Sequence, residues 1–79
     1  MKIKILGTGC MKCRKLEQET ANALVELGLA ADIEKVTELD KILQYDVMMT
    51  PGLVINEKVK VFGRVPRGAE IKRWIQEEL

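Results

Sequence analysis

The spacing of apolar residues changes abruptly across Gly7-Thr8-Gly9, and this change constrains the fold more than any other feature of the chain. Before it, Lys2-Ile3-Lys4-Ile5-Leu6 alternates polar and apolar residues and is rich in Ile, the pattern of a strand with one buried face. After it, Cys13, Leu16, Thr20, Ala23, Leu24 and Leu27 recur at helical spacing, the stripe of a helix packed on one side. Lys12, Arg14, Lys15, Glu17, Gln18, Glu19 and Glu26 fall mostly on the solvent face of that helix. Gly28 suits the left-handed position that ends a helix. The chain therefore opens as strand, glycine loop and helix.

The remaining elements follow from the same signals. Ala31 to Val36 reads as a second strand, with Ile33 and Val36 among its apolar positions. Thr37 offers an N-cap, and Asp40 three residues on gives a variant of the capping box. A short helix carrying Leu39, Ile42 and Leu43 follows and ends near Tyr45-Asp46. Val47 to Gly52 is an extended approach through Pro51 to the compact apolar strand Leu53-Val54-Ile55. Asn56-Glu57 marks a hairpin tip, a weaker turn signal than Asn-Gly. Lys58 to Phe62 alternates again, with Val59 and Val61 expected on one face. Gly63-Arg64-Val65-Pro66 breaks the strand, and a last helix runs from Arg67 to Leu79 with Ile71, Trp74, Ile75 and Leu79 as its apolar stripe.

This order, β-α-β-α-β-β-α, specifies an α/β fold. The first βαβ unit pairs its strands in parallel through a right-handed crossover. The last two strands form an antiparallel hairpin, which makes one mixed four-stranded sheet. Helices on both faces of that sheet explain why Leu53-Val54-Ile55 is apolar without alternation.

Composition closes off several functions. With 79 residues the chain forms one domain, 1–79, without room for a separate cofactor-binding domain. It is 47% hydrophobic and 32% charged with a net charge of +1, which suits a folded globule and supplies no basic excess for nucleic acid. No apolar run approaches the ~18–20 residues that span a bilayer. Met1 to Leu6 does not resemble the apolar region of a signal peptide. The expected location is the cytoplasm, where thiols are mostly reduced. His is absent, so no Cys–His nucleophile pair and no His-ligated metal site exists within the chain.

The chemistry-bearing residues are Cys10 and Cys13, in Cys10-Met11-Lys12-Cys13, where the first strand gives way to the first helix. Residues three apart on a helical turn lie within the ~4.4–6.8 Å between Cα atoms that a disulfide bridges. Cys10 near the N-cap faces free N–H groups and the positive end of the helix dipole, which favour a thiolate. Lys12 and Arg14, with Lys15, add positive charge, so these residues are candidates to stabilise that thiolate. Cys13, more buried, would act second and resolve a mixed disulfide. Two other readings stay open. A structural bridge closing so short a loop stabilises by only roughly 2 kcal/mol. A pair of soft thiolates also suits Cu(I) or half of a zinc site, although two Cys and no His fall short of the four ligands of a closed site.

Met49-Thr50-Pro51-Gly52 before an apolar strand, combined with the Cys pair at the start of the first helix, resembles the thioredoxin–glutaredoxin superfamily. The chain is most similar to its small redox-active disulfide proteins of archaea and bacteria, and the resemblance covers essentially all of it. It implies a thioredoxin-like fold and a thiol–disulfide oxidoreductase that acts on protein disulfides. It implies a cis Pro51 facing the thiols, Thr50 as the residue whose backbone docks an extended substrate peptide, and Gly63 beside the substrate or partner. No cofactor beyond a redox-active Cys10–Cys13 disulfide is expected, no metal, and no nucleic-acid or membrane partner. The electrons would come from a thioredoxin-reductase-like protein or another dithiol, and the chain would act as a monomer. A thiol-based metal or metalloid carrier and a redox-regulated adaptor are the alternatives. The chain departs from the family pattern in four places, one being the absence from its terminal loop of the Gly-Gly-x-Asp pattern by which glutaredoxins hold glutathione. Met11-Lys12 replaces the usual residues between the cysteines, Gly9 replaces an aromatic residue before them, and Lys2 to Leu6 lacks the acid that typically serves the resolving thiol.

Overall fold

The computed structural model describes residues 1–79. Alternation in the first segment produces β1, Lys2–Leu6, whose Ile3 and Ile5 point to one face and Leu6 to the other. The helical stripe produces α1, Met11–Leu27, with Cys13, Leu16, Thr20, Ala23 and Leu24 buried. Thr20 spends its hydroxyl on the Leu16 carbonyl at 2.8 Å, so no polar group is stranded in that stripe. Gly28, at φ 68°, turns the chain out of the helix, and the N–H of Leu29 reaches back to the Leu24 carbonyl at 3.0 Å.

β2 spans Asp32–Val36 and returns parallel to β1, pairing Ile3 with Ile33 and Leu6 with Val36. β3, Gly52–Ile55, lies antiparallel on the other side of β1, and β4, Lys58–Phe62, completes the sheet in the order β2-β1-β3-β4. The β3–β4 tip is tighter than its residues suggest. Asn56 and Glu57 both have positive φ, 50° and 67°, as a two-residue primed turn requires. Asn56 is also tied to the start of β1: its N–H donates to the Lys2 carbonyl at 2.8 Å and its Oδ1 accepts from the Lys2 N–H at 3.1 Å.

The sheet is covered on both faces, as the run Leu53-Val54-Ile55 implied. On one face α1 and α3, Gly68–Glu77, enclose a core of Ile3, Ile5, Leu16, Leu24, Leu53, Ile55, Ile71 and Ile75, with Trp74 packed against it. On the other, Leu6, Val36, Val47 and Val54 meet Ile42 of the short helix α2, Leu39–Leu43. Full burial of each of these Ile and Leu side chains contributes about 1.5–3 kcal/mol before the entropy of ordering the chain is set against it.

Three local expectations are corrected. α2 is entered through Glu38, without a side-chain cap, rather than through Thr37. Only Ile42 of its apolar residues is buried; Leu39 and Leu43 face solvent because a helix this short presents one inward position to the sheet. Val59 and Val61 lie on opposite faces: the β3–β4 ladder slips between Leu53 and Val54, so Leu53 opposes Val61 and Val54 opposes Val59. Lys60 is the extra residue of that bulge. Leu79 lies beyond the end of α3 and is exposed, leaving Ile71 and Ile75 as the buried stripe.

Candidate active site

The glycine loop after β1 delivers the chain into α1 with Cys10 as its N-cap, at φ −69° and ψ 171°. Cys10 Sγ accepts a hydrogen bond from the Cys13 N–H at 3.3 Å, the service that Ser or Asp usually performs at this position. One turn later Cys13 faces inward. The two sulfurs approach to 2.7 Å as free thiols. Cys10 is exposed, whereas Cys13 is 5% exposed.

This placement separates their acidities. The Cys10 thiol is lowered from the ordinary range, first by the hydrogen bond from the Cys13 thiol, then by the backbone N–H of Cys13, with further help from backbone N–H groups at the helix start. The Cys13 thiol is raised, first by burial and then by the thiol hydrogen bond to Cys10. The helix start that the sequence pointed to thus contributes through its backbone N–H groups, after the Cys13 thiol itself. Lys12 acts on Cys10 through its backbone N–H, and the Arg14 side chain donates from Nε to the Gly9 carbonyl at 3.3 Å. Neither side chain hydrogen bonds a thiol.

Thr50, Pro51 and Gly63 are brought to the same end of the sheet. The Thr50–Pro51 peptide bond is cis. Pro51 is buried and its carbonyl accepts from the Gly63 N–H at 2.8 Å. Gly63 has φ 84°, a conformation that favours glycine, and a side chain there would meet Met49 Cβ at 3.4 Å. Around these groups stand exposed Met11, Met48, Met49 and Phe62.

Three site residues went unread in the sequence. Gly7 is buried against Cys13: a Cβ at Gly7 would overlap Cys13 Sγ and come within 3.8 Å of Thr50 Cβ. Its signal was a glycine between an apolar strand and a Cys-bearing helix. Glu17 and Lys35, both assigned to solvent or passed over, line a cleft of about 330 Å³ together with Cys13. The signal for Glu17 was its position four residues after Cys13, one helical turn along. No cluster of three or more His, Cys, Asp or Glu capable of holding a metal ion is formed.

Comparison with known proteins bears on this arrangement. The family model described as "Thioredoxin domain" matches residues 1–76. The chain belongs to the thioredoxin family. Over 73 residues, 92% of this chain and 95% of the relative, it is 44% identical to a thioredoxin of Methanothermobacter thermautotrophicus. Over 77 residues, 98% of this chain and 88% of the relative, it is 36% identical to a thioredoxin of Methanocaldococcus jannaschii. The resemblance expected from Cys10-Met11-Lys12-Cys13 and Thr50-Pro51 is thereby shown, as is the mixed four-stranded sheet flanked by helices. Thiol–disulfide exchange is the chemistry of this family. No helix of this family member is long and apolar enough to cross a membrane.

Proposed function

We propose that the chain is a protein disulfide oxidoreductase in which Cys10 is the attacking and Cys13 the resolving thiol. The observation that carries this reading is the asymmetry of the pair: an exposed thiol of lowered pKa held 2.7 Å from a buried thiol of raised pKa. The Cys10 thiolate attacks one sulfur of a substrate disulfide, and the other leaves as a thiolate that takes up a proton. Cys13 then attacks Cys10 Sγ. The Cys10–Cys13 bond forms, the bond to substrate breaks, and the substrate leaves fully reduced while the protein has lost two electrons.

The surroundings support a protein substrate. Thr50 and Gly63 flank the buried Pro51 beside the thiols, where an extended segment could lie along exposed backbone. The rim of Met11, Met48, Met49 and Phe62 is exposed and apolar, and thioether side chains repack against surfaces of different shape. The Cys10–Cys13 disulfide is then returned to the dithiol by an external reductase or dithiol.

Reduction of a disulfide-bonded protein with dithiothreitol as electron source tests this function. Cys10→Ser is expected to abolish the stimulation, and Cys13→Ser to accumulate a mixed disulfide through Cys10. Full activity in Cys10→Ser would remove the assignment.

A further inference from the structure

The geometry points to Met11, Met48 and Met49 as a site of oxidation by hydroperoxides, whose conversion to sulfoxides closes the docking surface to protein disulfides. The inference rests on the disulfide-exchange reading and adds a condition under which contact with substrate is lost. The chain has four methionines. Met1 is partly buried and packs against the core under α1 and α3. Met11, Met48 and Met49 are 84%, 88% and 60% exposed, and all three stand beside the thiols. Met11 opens α1 between Cys10 and Cys13. Met48 and Met49 lead into the cis Thr50–Pro51 bond. Met49 lies over Gly63, where an added Cβ would come within 3.4 Å of its Cβ and 3.6 Å of its Sδ. Gly63 in turn donates its N–H to the Pro51 carbonyl at 2.8 Å.

Core packing does not call for thioethers at these positions, because the side chains bury so little of themselves. Val25, Leu39, Leu43 and Leu79 are exposed as well, but a hydrocarbon side chain does not react with peroxide. A thioether does, and its product is polar. A lone pair of Sδ attacks one peroxide oxygen, and the O–O bond breaks. The sulfur keeps that oxygen as a sulfoxide and has given up two electrons. The second oxygen leaves as hydroxide and takes a proton to become water. In the dithiol form the Cys10 thiolate is the better nucleophile and takes the peroxide first. In the disulfide form that thiolate is gone, and the methionines are the sulfurs that react. Sulfoxides therefore accumulate when the supply of electrons to the Cys10–Cys13 pair falls behind. Each sulfoxide oxygen must shed water before a bound segment can cover it, and at Met49 it is carried beside the Gly63 backbone.

Treatment of the disulfide form with hydrogen peroxide, followed by peptide mass mapping, locates the added oxygen. Met11, Met48 and Met49 should each gain one atom well before Met1 does. The treated protein is then assayed with dithiothreitol, which reopens the disulfide and leaves sulfoxides in place. Reduction of insulin, a protein disulfide, should slow about tenfold, the effect of losing one buried side chain of this size. Reduction of the small disulfide dithionitrobenzoate, which needs Cys10 and little surface around it, should keep its rate. The triple variant Met11→Leu, Met48→Leu, Met49→Leu keeps the apolar volume and has nothing to oxidise there. Its insulin rate after peroxide should equal its own rate before. Among single variants, Met49→Leu should retain more of its rate through the treatment than Met48→Leu.

An insulin rate unchanged after full sulfoxidation overturns the inference, as does an equal loss in the triple variant. Equal slowing of insulin and dithionitrobenzoate places the damage at the thiols and overturns it too. Untreated protein that reduces neither substrate contradicts disulfide exchange itself, and the comparison before and after peroxide keeps that failure distinct from failure of the oxidation site.

Discussion

Ionising Cys10 leaves its charge at the open end of a helix, whereas ionising Cys13 leaves the charge under a layer of packed atoms. The order of reactivity follows. With its pKa lowered, Cys10 should reach full alkylation by iodoacetamide at a pH below the free-thiol range, its rate rising with pH and then flat. Cys13, with its pKa raised, should stay unmodified across that plateau and react only in stronger alkali. Peptide mapping of the reduced protein across a pH series checks both. Alkylation of Cys13 before Cys10 would reverse the assignment. Gly7 gives a second expectation at this scale. Gly7→Ala pushes a methyl group onto Cys13 Sγ, so it should destabilise the reduced protein by about 1–3 kcal/mol, as overpacking does, read by urea unfolding. The order of Cys10 before Cys13 was legible from their spacing and their place at the helix start, but Gly7 touches Cys13 only after the loop has folded back.

The elements differ in how they are held. α2 rests on the sheet through Ile42 alone, so Ile42→Ala should cost about 2–5 kcal/mol, measured by chemical denaturation, and Leu39→Ala on its exposed side far less. α3 begins where the Glu70 carboxylate accepts from the Arg67 N–H at 3.0 Å and pairs with Arg64. Arg64 chiefly, then the Arg67 N–H, holds the Glu70 carboxyl below its ordinary range. A depressed carboxyl stabilises the fold above its unfolded pKa and loses that contribution as pH falls through the folded value. Glu70→Gln should therefore lower Tm at neutral pH, and the gap to the parent should close in acid below the usual carboxylate range. Thermal melts at several pH values test this.

Element order and the hairpin tip were readable because period and turn chemistry are local properties. The split of Val59 from Val61 was not, because a bulge is set by the register against β3 and leaves no mark in β4 taken alone. Which apolar residues of α2 the sheet covers is equally unreadable locally: whether a helix of this length shows one or three residues to a sheet depends on how it is seated.

At the scale of the molecule, two cores share one sheet. Trp74 packs against the core under α1 and α3, and Tyr45 against the core under α2. Because β1 and β3 contribute side chains to both, neither core can dissolve while the other remains whole. Trp and Tyr signals should therefore unfold with the same urea midpoint as far-UV circular dichroism, as two-state unfolding requires. Separated midpoints would mean that the faces act as independent units.

The sheet has two open borders, β2 on one side and β4 on the other, each with backbone groups free to pair. β2 sets Asp32, Glu34 and Lys35 along its length, and β4 sets Lys58 and Lys60 beside a bulge. A flat incoming strand meets charge at one border and a broken repeat at the other. Under the proposed function, the protein repeatedly meets loosened chains with unpaired strands of their own. Borders that refuse those strands leave the thiol end of the sheet as the place of contact, so the protein can leave each client without templating its aggregation.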